Sequence, residues 1–547
     1  MKKIFNLVLA LGLFTLSSCI GDVENINPQQ TTELDADALF NKVYATFVLT
    51  GQEGPTGSGD LINMDEGRSQ YVRMVWNLNE LTSDEAHWYW YKNDAGYEDL
   101  VQNTYSADNA VSQGFFYRAY FDITLCNLYL DNIQDDGTEE TKARRAEVRF
   151  VRAMNYYSIL DLFGGGPFAE EFKMGETAQY KSRTELFDFI EKELKEIDAD
   201  LKPEGTNTFG RVDKAAAYLM LSRLYLNAEV YTGTPRWDDC MMYADKVINS
   251  GYYHLNTTGA INPKTGEVYS PYQMLFLADN DKTDAKYEDL FPLLQNGERT
   301  QSYGGMSALI LSCYSPGMSH KVPSGTDDNW GKCATVRGKL ADIFFGALTG
   351  AEPELETVSQ AVNLAKDDRA LMLNLTDKGD DNMEVAYKRY ITTQGEQSQG
   401  YCCVKFRNVR SDGGPTTTQN GYVDTNWPYL RVAEAYLNYA EASTRLNGIN
   451  EDAANKINAL RARANASQQT SYTLDDIRNE WAKEFWFEGR RRMDLVRFGC
   501  YGGQNNYKWE WMGNTPNGNQ FAATRNIFGI PSAELTNNPN IQQNPGY

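Results

Sequence analysis

Residues 143–167 read ARRAEVRFVRAMNYYSILDLFGGGP, and this stretch decides the fold class. Val148, Val151, Met154 and Ile159 recur at spacings of three to five, which lines up one apolar face of a helix. Gly164-Gly165-Gly166-Pro167 then ends it, since neither residue type continues a helical ladder. The spacing predicts a helix over 143–163. Working outward, 213–231 repeats the device with Ala217, Leu221, Leu224 and Ala228, and 237–250 supplies a partner helix stopped by Gly251. A second hairpin is predicted from 429–446, the Asn447-Gly448 break and 452–464. Helix pairs with small residues at contact positions resemble tetratricopeptide units, although no strict repeat period is visible.

The segments between these pairs, 51–109, 256–339 and 376–426, are rich in Gly, Asn, Asp, Ser and aromatics and lack helical period. Loops of such length are uncommon unless they carry function. The expected fold class is therefore mostly α: irregular tetratricopeptide-like helix pairs form a scaffold, with long loops and a few short strands, such as 403–409, carrying the ligand site.

Lys2 and Lys3 followed by the apolar run 4–16 read as a secretory signal, too short for a membrane span. Leu16-Ser17-Ser18-Cys19 places small residues before a cysteine, the pattern of lipoprotein processing. Residues 1–18 are thus a lipoprotein signal peptide and 19–34 the lipidated Cys19 with a polar tether. Acyl chains on Cys19 would hold the protein on a membrane with no transmembrane helix. A formal net charge of −22 argues against nucleic acid or an anionic lipid surface as partner and suits a neutral ligand. Seven cysteines follow Cys19, an odd number with Cys402 and Cys403 adjacent, so burial as small apolar residues is expected rather than a disulfide framework. Thirty-four tyrosines and ten tryptophans exceed what a core requires, which leaves rings to face a ligand.

Several stretches together resemble one family. Residues 143–153 with 161–167, GRVDKAA at 210–216, ADKVI at 244–248, LRVAEAY at 430–436, EFWFEGRRRMDL at 484–495 and the closing NPNIQQNPGY at 538–547 are similar, in this order, to the SusD/RagB family of outer-membrane glycan-binding lipoproteins. The loops resemble most those of its starch-binding branch. The resemblance implies a SusD-like N-terminal region over 35–255 and a SusD/RagB-type C-terminal region over 256–547. It implies a lipid-anchored protein facing the exterior of the outer membrane, which binds starch or malto-oligosaccharide without catalysis and delivers it to a SusC-like TonB-dependent transporter. The alternatives are the same role for another glycan, a surface glycosidase, or an adhesive or purely structural lipoprotein.

Residues 77–93, NLNELTSDEAHWYWYKN, hold four consecutive rings in a polar setting, which cannot all turn into one core. Pyranoses present C–H-rich faces that pack on indole and phenol, while amides and guanidinium groups bond the hydroxyls. The resemblance implies an aromatic arc of Trp90, Tyr303 and Trp330, hydrogen bonds from Arg73 and Asn93, and Trp88 nearby. Trp88 reads equally as a core ring, and Arg73 equally as a partner of a surface carboxylate. Asp279-Asn280-Asp281 with Asp284 offers hard oxygens without an EF-hand pattern. The resemblance implies a structural calcium site drawing on Asp281 and Asp424.

Glu434 and Glu441, and likewise Glu484 and Glu488, lie one or two turns apart, and a glycosidase needs two carboxyl groups about 5 to 10 Å apart. Arg431 and Arg490 to Arg492 surround them, so structural ion pairs are the better reading. His87, His254 and His320 are scattered and form no metal or nucleophile pattern. No catalytic constellation emerges.

Overall fold

Caps set the helix boundaries as much as apolar spacing does. In the computed structural model, which describes residues 34–62, 64–173, 175–378 and 384–547, the helix seen first in the sequence runs Glu139–Phe163. It starts four residues before the predicted 143 because the Thr138 side chain accepts the Thr141 N–H, with Glu139 and Glu140 in the favourable first turn. It ends at Gly164, whose φ of 77° only glycine adopts freely. The predicted 213–231 helix is instead Lys214–Leu226, capped by Asp213, with a break at Asn227 and a short helix Ala228–Thr232 beyond. Tyr429 and Arg431, predicted helical, belong to the strand Trp427–Arg431, and the helix begins at Val432. The strand expected over 403–409 shrinks to Cys402–Cys403. The signal segment and Cys19 lie outside the described residues.

The framing helices are, in chain order, α1 (Ala36–Ala45), α2 (Tyr71–Glu80), α3 (Ala110–Asn132), α4 (Glu139–Phe163), α5 (Arg183–Glu196), α6 (Lys214–Leu226), α7 (Trp237–Ile248), α8 (Gly305–Cys313), α9 (Val432–Asn447), α10 (Glu451–Arg463), α11 (Leu474–Phe485) and α12 (Arg491–Arg497). Successive helices pack as pairs: α3 on α4, α4 on α5, α6 on α7, and α9 on both α7 and α10. Strands form only antiparallel two-stranded ladders among the described residues. Two of them matter for the site: β1 (Ala86–Trp88) pairs with β3 (Ala334–Val336), and β2 (Asp289–Leu293) pairs with β4 (Trp427–Arg431). One apolar cluster runs from Leu39 to Ile541, so both ends of the described chain share a core. Among the described residues no helix is long and apolar enough to cross a membrane. The seven described cysteines are all buried free thiols.

The glutamates of the C-terminal motif are structural. Arg431 reaches Glu288 at 2.9 Å, Glu484 at 2.8 Å and Glu488 at 2.8 Å. Arg463 bonds Glu288 and Glu484, Arg369 meets Glu480 at 2.8 Å, and Lys405 meets Glu488 at 2.7 Å. Glu434 is clasped by Arg223, and Glu441 by Arg497 and Arg445. Burial alone would raise the Glu484 carboxyl, but Arg463, Arg431 and Arg369 overcome it and hold the group at about 2. Arg431→Met removes one centre of this network and leaves three buried carboxylates each short of one cation. The expected loss is about 3–5 kcal/mol in urea unfolding at neutral pH, and an unchanged midpoint would refute the network's importance.

A second buried acidic group behaves oppositely. Glu80, the last residue of α2, accepts the Arg490 N–H at 2.7 Å, and Glu85 accepts the Phe487 N–H at 2.8 Å. Burial pushes both carboxyls up, and for Glu85 the neighbouring Glu80 adds to the rise. A carboxyl raised by folding binds more protons in the native than in the unfolded chain. Its contribution is full below its unfolded value of about 4.3 and is lost as pH rises into the neutral range. Glu80→Gln should therefore lose less stability than the wild type between pH 5 and pH 8. Parallel stability curves for the two proteins would contradict this assignment.

Candidate glycan-binding cleft

The site is built on α2. Gln70 stands just before this helix and is wholly buried. Its carboxamide oxygen accepts the Arg73 N–H at 2.7 Å and the Gly305 N–H at 2.9 Å, while its nitrogen donates to the Phe47 carbonyl at 2.5 Å. One side chain thus stitches the start of α2 to the end of α1's following turn and to the start of α8. Gly304 packs so closely that a Cβ there would lie 2.1 Å from Gln70 Cγ, and Gly305 has φ of +55°. Glycine at both positions lets the chain turn sharply after Tyr303 and leaves that ring 38 % exposed.

Arg73 sits in the first turn of α2. Its guanidinium donates to the Tyr303 carbonyl at 2.8 Å and to the Tyr97 hydroxyl at 3.3 Å, and lies 5.2 Å from the centre of the Trp330 ring. It therefore organises two of the three expected platform rings through a hydrogen bond and a cation–π contact, rather than pairing with a surface carboxylate. Trp330 is anchored by its N–H to the Leu311 carbonyl at 2.7 Å, in the last turn of α8. Trp90 follows β1, in a turn whose carbonyl accepts the Asn93 N–H at 2.9 Å.

These residues share one cleft of about 380 Å³, walled by Asp65, Glu66, Arg73, Trp88, Trp90, Asp94, Tyr303 and Trp330. Trp90 and Trp330 are half-buried, each with surface left to offer. Trp88 is buried in β1, its ring against Tyr97 at 4.9 Å and Trp76 at 6.5 Å, and its indole N–H donates to Asp94 at 2.6 Å. It reaches the cleft wall as a core ring whose faces are taken. Asn93 is exposed and is not among the residues that line the cleft.

Sequence reasoning missed Gln70 and the acidic wall. Glu66 accepts from the Thr50 hydroxyl and from the Tyr303 N–H at 3.3 Å. Burial raises its carboxyl, against the lowering effect of those two hydrogen bonds and of the Arg73 charge. These partners lie more than two hundred positions from Tyr303, so no local pattern could have announced them.

Asp281 and Asp424, the residues expected at a calcium site, each have partners within the protein. Asp281 pairs with Lys282. Asp424 accepts the N–H groups of Gly297 at 2.9 Å and Thr417 at 2.7 Å. Asp279 likewise accepts from Ser411. Among the described residues no group of three or more acid, histidine or cysteine side chains lies placed to hold a metal ion. His87 is buried, with burial, Arg337 and Lys332 all lowering its pKa, and His254 stacks on Tyr287.

Comparison with known proteins supplies the context for this cleft. Residues 374–547 match the model described as SusD family, and residues 61–226 match one described as starch-binding associating with outer membrane. The starch-binding protein SusD of Bacteroides thetaiotaomicron is 37 % identical over 580 aligned positions, covering 100 % of this chain and 99 % of its own. SusD-like protein P2 of Formosa agariphila is 22 % identical, covering 81 % of this chain and 82 % of its own. Among solved structures, a SusD-like carbohydrate-binding protein from Bacteroides fragilis superposes with a TM-score of 0.69 at 19 % identity, covering 93 % of this chain and 98 % of that one. A laminarin-binding SusD-like protein gives 0.66 at 18 % identity, covering 95 % and 100 %. At such identities the last two bear on the fold alone.

Gln70→Ala leaves two N–H groups and a carbonyl without their partner. The expected destabilisation is about 1–3 kcal/mol for each such group that stays dry, read by urea unfolding. A variant as stable as the wild type would show that water replaces the stitch.

Proposed function

The chain belongs to the SusD family, whose members are non-catalytic glycan-binding proteins, and from that premise we propose that it binds starch-derived α-1,4-glucan. The reading rests above all on one observation: Trp90, Tyr303 and Trp330, from three separate loops, wall a single cleft together with Arg73. Rings placed around a concave surface suit a curved chain of glucose units, whose C–H faces stack while their hydroxyls turn outward to polar groups. The full-length likeness to a protein named for starch binding supports this ligand over other glycans.

In this reading Cys19 carries the lipid anchor, the protein faces the exterior of the outer membrane, and a SusC-like TonB-dependent transporter takes the captured oligosaccharide. The carboxylates of the cleft act as walls: Asp94 is held by the Trp88 indole and Glu66 by Thr50 and the Tyr303 N–H. Neither is arranged as an acid beside an unengaged base.

Calorimetry with maltoheptaose and retention on amylopectin gels test the ligand. Trp90→Ala and Trp330→Ala should each lose about 0.5–1.5 kcal/mol of ring contact, roughly twofold to tenfold in affinity. A laminarin oligosaccharide serves as the competing arm. Heat with laminarin and none with maltoheptaose would replace starch by another glycan, and new reducing ends on incubation with starch would overturn the non-catalytic role.

A further inference from the structure

A second cleft, of about 520 Å³, lies on the loops that also carry the aromatic site, and its walls include Gln301, Thr416, Thr418, Gln419 and Asp424. The lining holds threonine hydroxyls, glutamine carboxamides and the Glu298 and Asp424 carboxylates and no aromatic ring, which offers hydrogen-bond partners to a neutral polyol. Gln301 is two residues before Tyr303. Tyr422, three residues after Gln419, sets its ring 6.3 Å from that of Tyr303. The Trp330 loop joins the same wall, because Asp327 donates its N–H to the Thr418 carbonyl at 3.4 Å and accepts the Gly421 N–H at 3.2 Å. One wall of the second cleft thus lies two residues from Tyr303 and the other is hydrogen-bonded to the Trp330 loop, so the two clefts are neighbours that share no lining residue.

The cleft is also held in shape. The Asp424 carboxylate accepts the Gly297 N–H from one wall and the Thr417 N–H from the other, fastening the two loops at their base. A Cβ at Gly297 would lie 2.5 Å from Thr417 Cγ2 and 3.0 Å from the Tyr422 carbonyl, so the loops touch there with no room for a side chain. A preformed polar groove beside the stacking platform needs little ordering to accept a ligand that already lies on the platform.

We infer that the second cleft takes the flanking sugar units of a neutral oligosaccharide too long for the aromatic cleft, so that long chains are preferred over short ones. The inference rests on the glycan-binding reading of the aromatic cleft. Tyr303, backed by Tyr422, is the crest over which the chain passes, and the threonine and glutamine side chains bond its hydroxyls.

The test compares maltotriose with a long amylose fraction in calorimetry, using the full protein. Two sets of changes alter the second cleft: the pair Gln301→Ala with Gln419→Ala, and the exposed-site change Thr418→Arg, which fills it. Both should leave maltotriose affinity unchanged and lower amylose affinity about threefold to tenfold, as for the loss of one neutral hydrogen bond or a little more. Equal amylose affinity in the wild type and both variants would overturn the inference while the aromatic reading stands. Trp90→Ala should weaken both ligands. If the wild type binds neither glucan, the aromatic reading falls and this inference with it.

Discussion

Everything in the structure hangs on charge that has been taken out of water. Arg431 ends β4 with its guanidinium wholly buried, and from there it holds Glu288 beside β2 and Glu484 and Glu488 at the end of α11. Desolvating so many ions is expensive, and their mutual attraction offsets that only when each lone pair and proton finds a partner. Here Glu288, Glu484 and Glu488 each meet a second cation, because Arg463, Arg369 and Lys405 complete the set. Such a network tolerates one arrangement of its elements, since any shift leaves an ion unpaired. Helices α9, α10 and α11 and the β2–β4 ladder are thereby fixed relative to one another.

That rigidity reaches the cleft through α2. Its C-terminal end is grasped by the loop that follows α11: Glu80 and Glu85 accept N–H groups of Arg490 and Phe487, Arg491 bonds Asp84 at 2.8 Å, and the Trp76 indole donates to the Phe487 carbonyl at 3.1 Å. Phe487, at φ of 62°, and Gly489, at 81°, turn the chain so that these N–H groups point at the acids. The stretch EFWFEGRRRMDL, the most conspicuous in the sequence, is not part of the cleft wall. It acts on the site by seating the helix that bears Arg73, while Gln70 seats the other end.

How much could be read in advance follows from the range of each interaction. Helices with an apolar face and a glycine stop, such as α4, were legible, since both signals are local. Their starts were less so, because Thr138 looks like any polar residue until its hydroxyl is seen to cap. Helix α2 lay inside an apparent loop although Arg73, Asn77 and Glu80 line up on one side of it: nine of its ten residues are buried, Asn77, Asn79 and Glu80 included, so its polar side faces partners in the fold rather than solvent. The 429–431 stretch looked helical, but Leu430 and Arg431 pair with β2, a choice made by residues more than a hundred positions away. Trp90, Tyr303, Trp330 and Arg73 could be named from family resemblance and loop setting. Gln70 and Glu66 could not, because each acquires its role from partners that only the fold brings near.

The chemistry of the cleft then explains what kind of binder it forms. Arg73 already serves Tyr303 and Tyr97, Asp94 already holds the Trp88 indole, and Glu66 is engaged by Thr50 and the Tyr303 N–H. A ligand arriving there finds few charges awaiting a partner and meets mainly ring faces whose backbones are tied down. Stacking of this kind contributes about 0.5–1.5 kcal/mol per ring beyond area burial, so affinity accumulates from several weak contacts and depends on their common curvature. Such a cleft selects by shape with modest strength per contact. A site with unsatisfied buried ions would bind more tightly and discriminate by charge, and this fold has instead placed its strong ionic interactions in the framework.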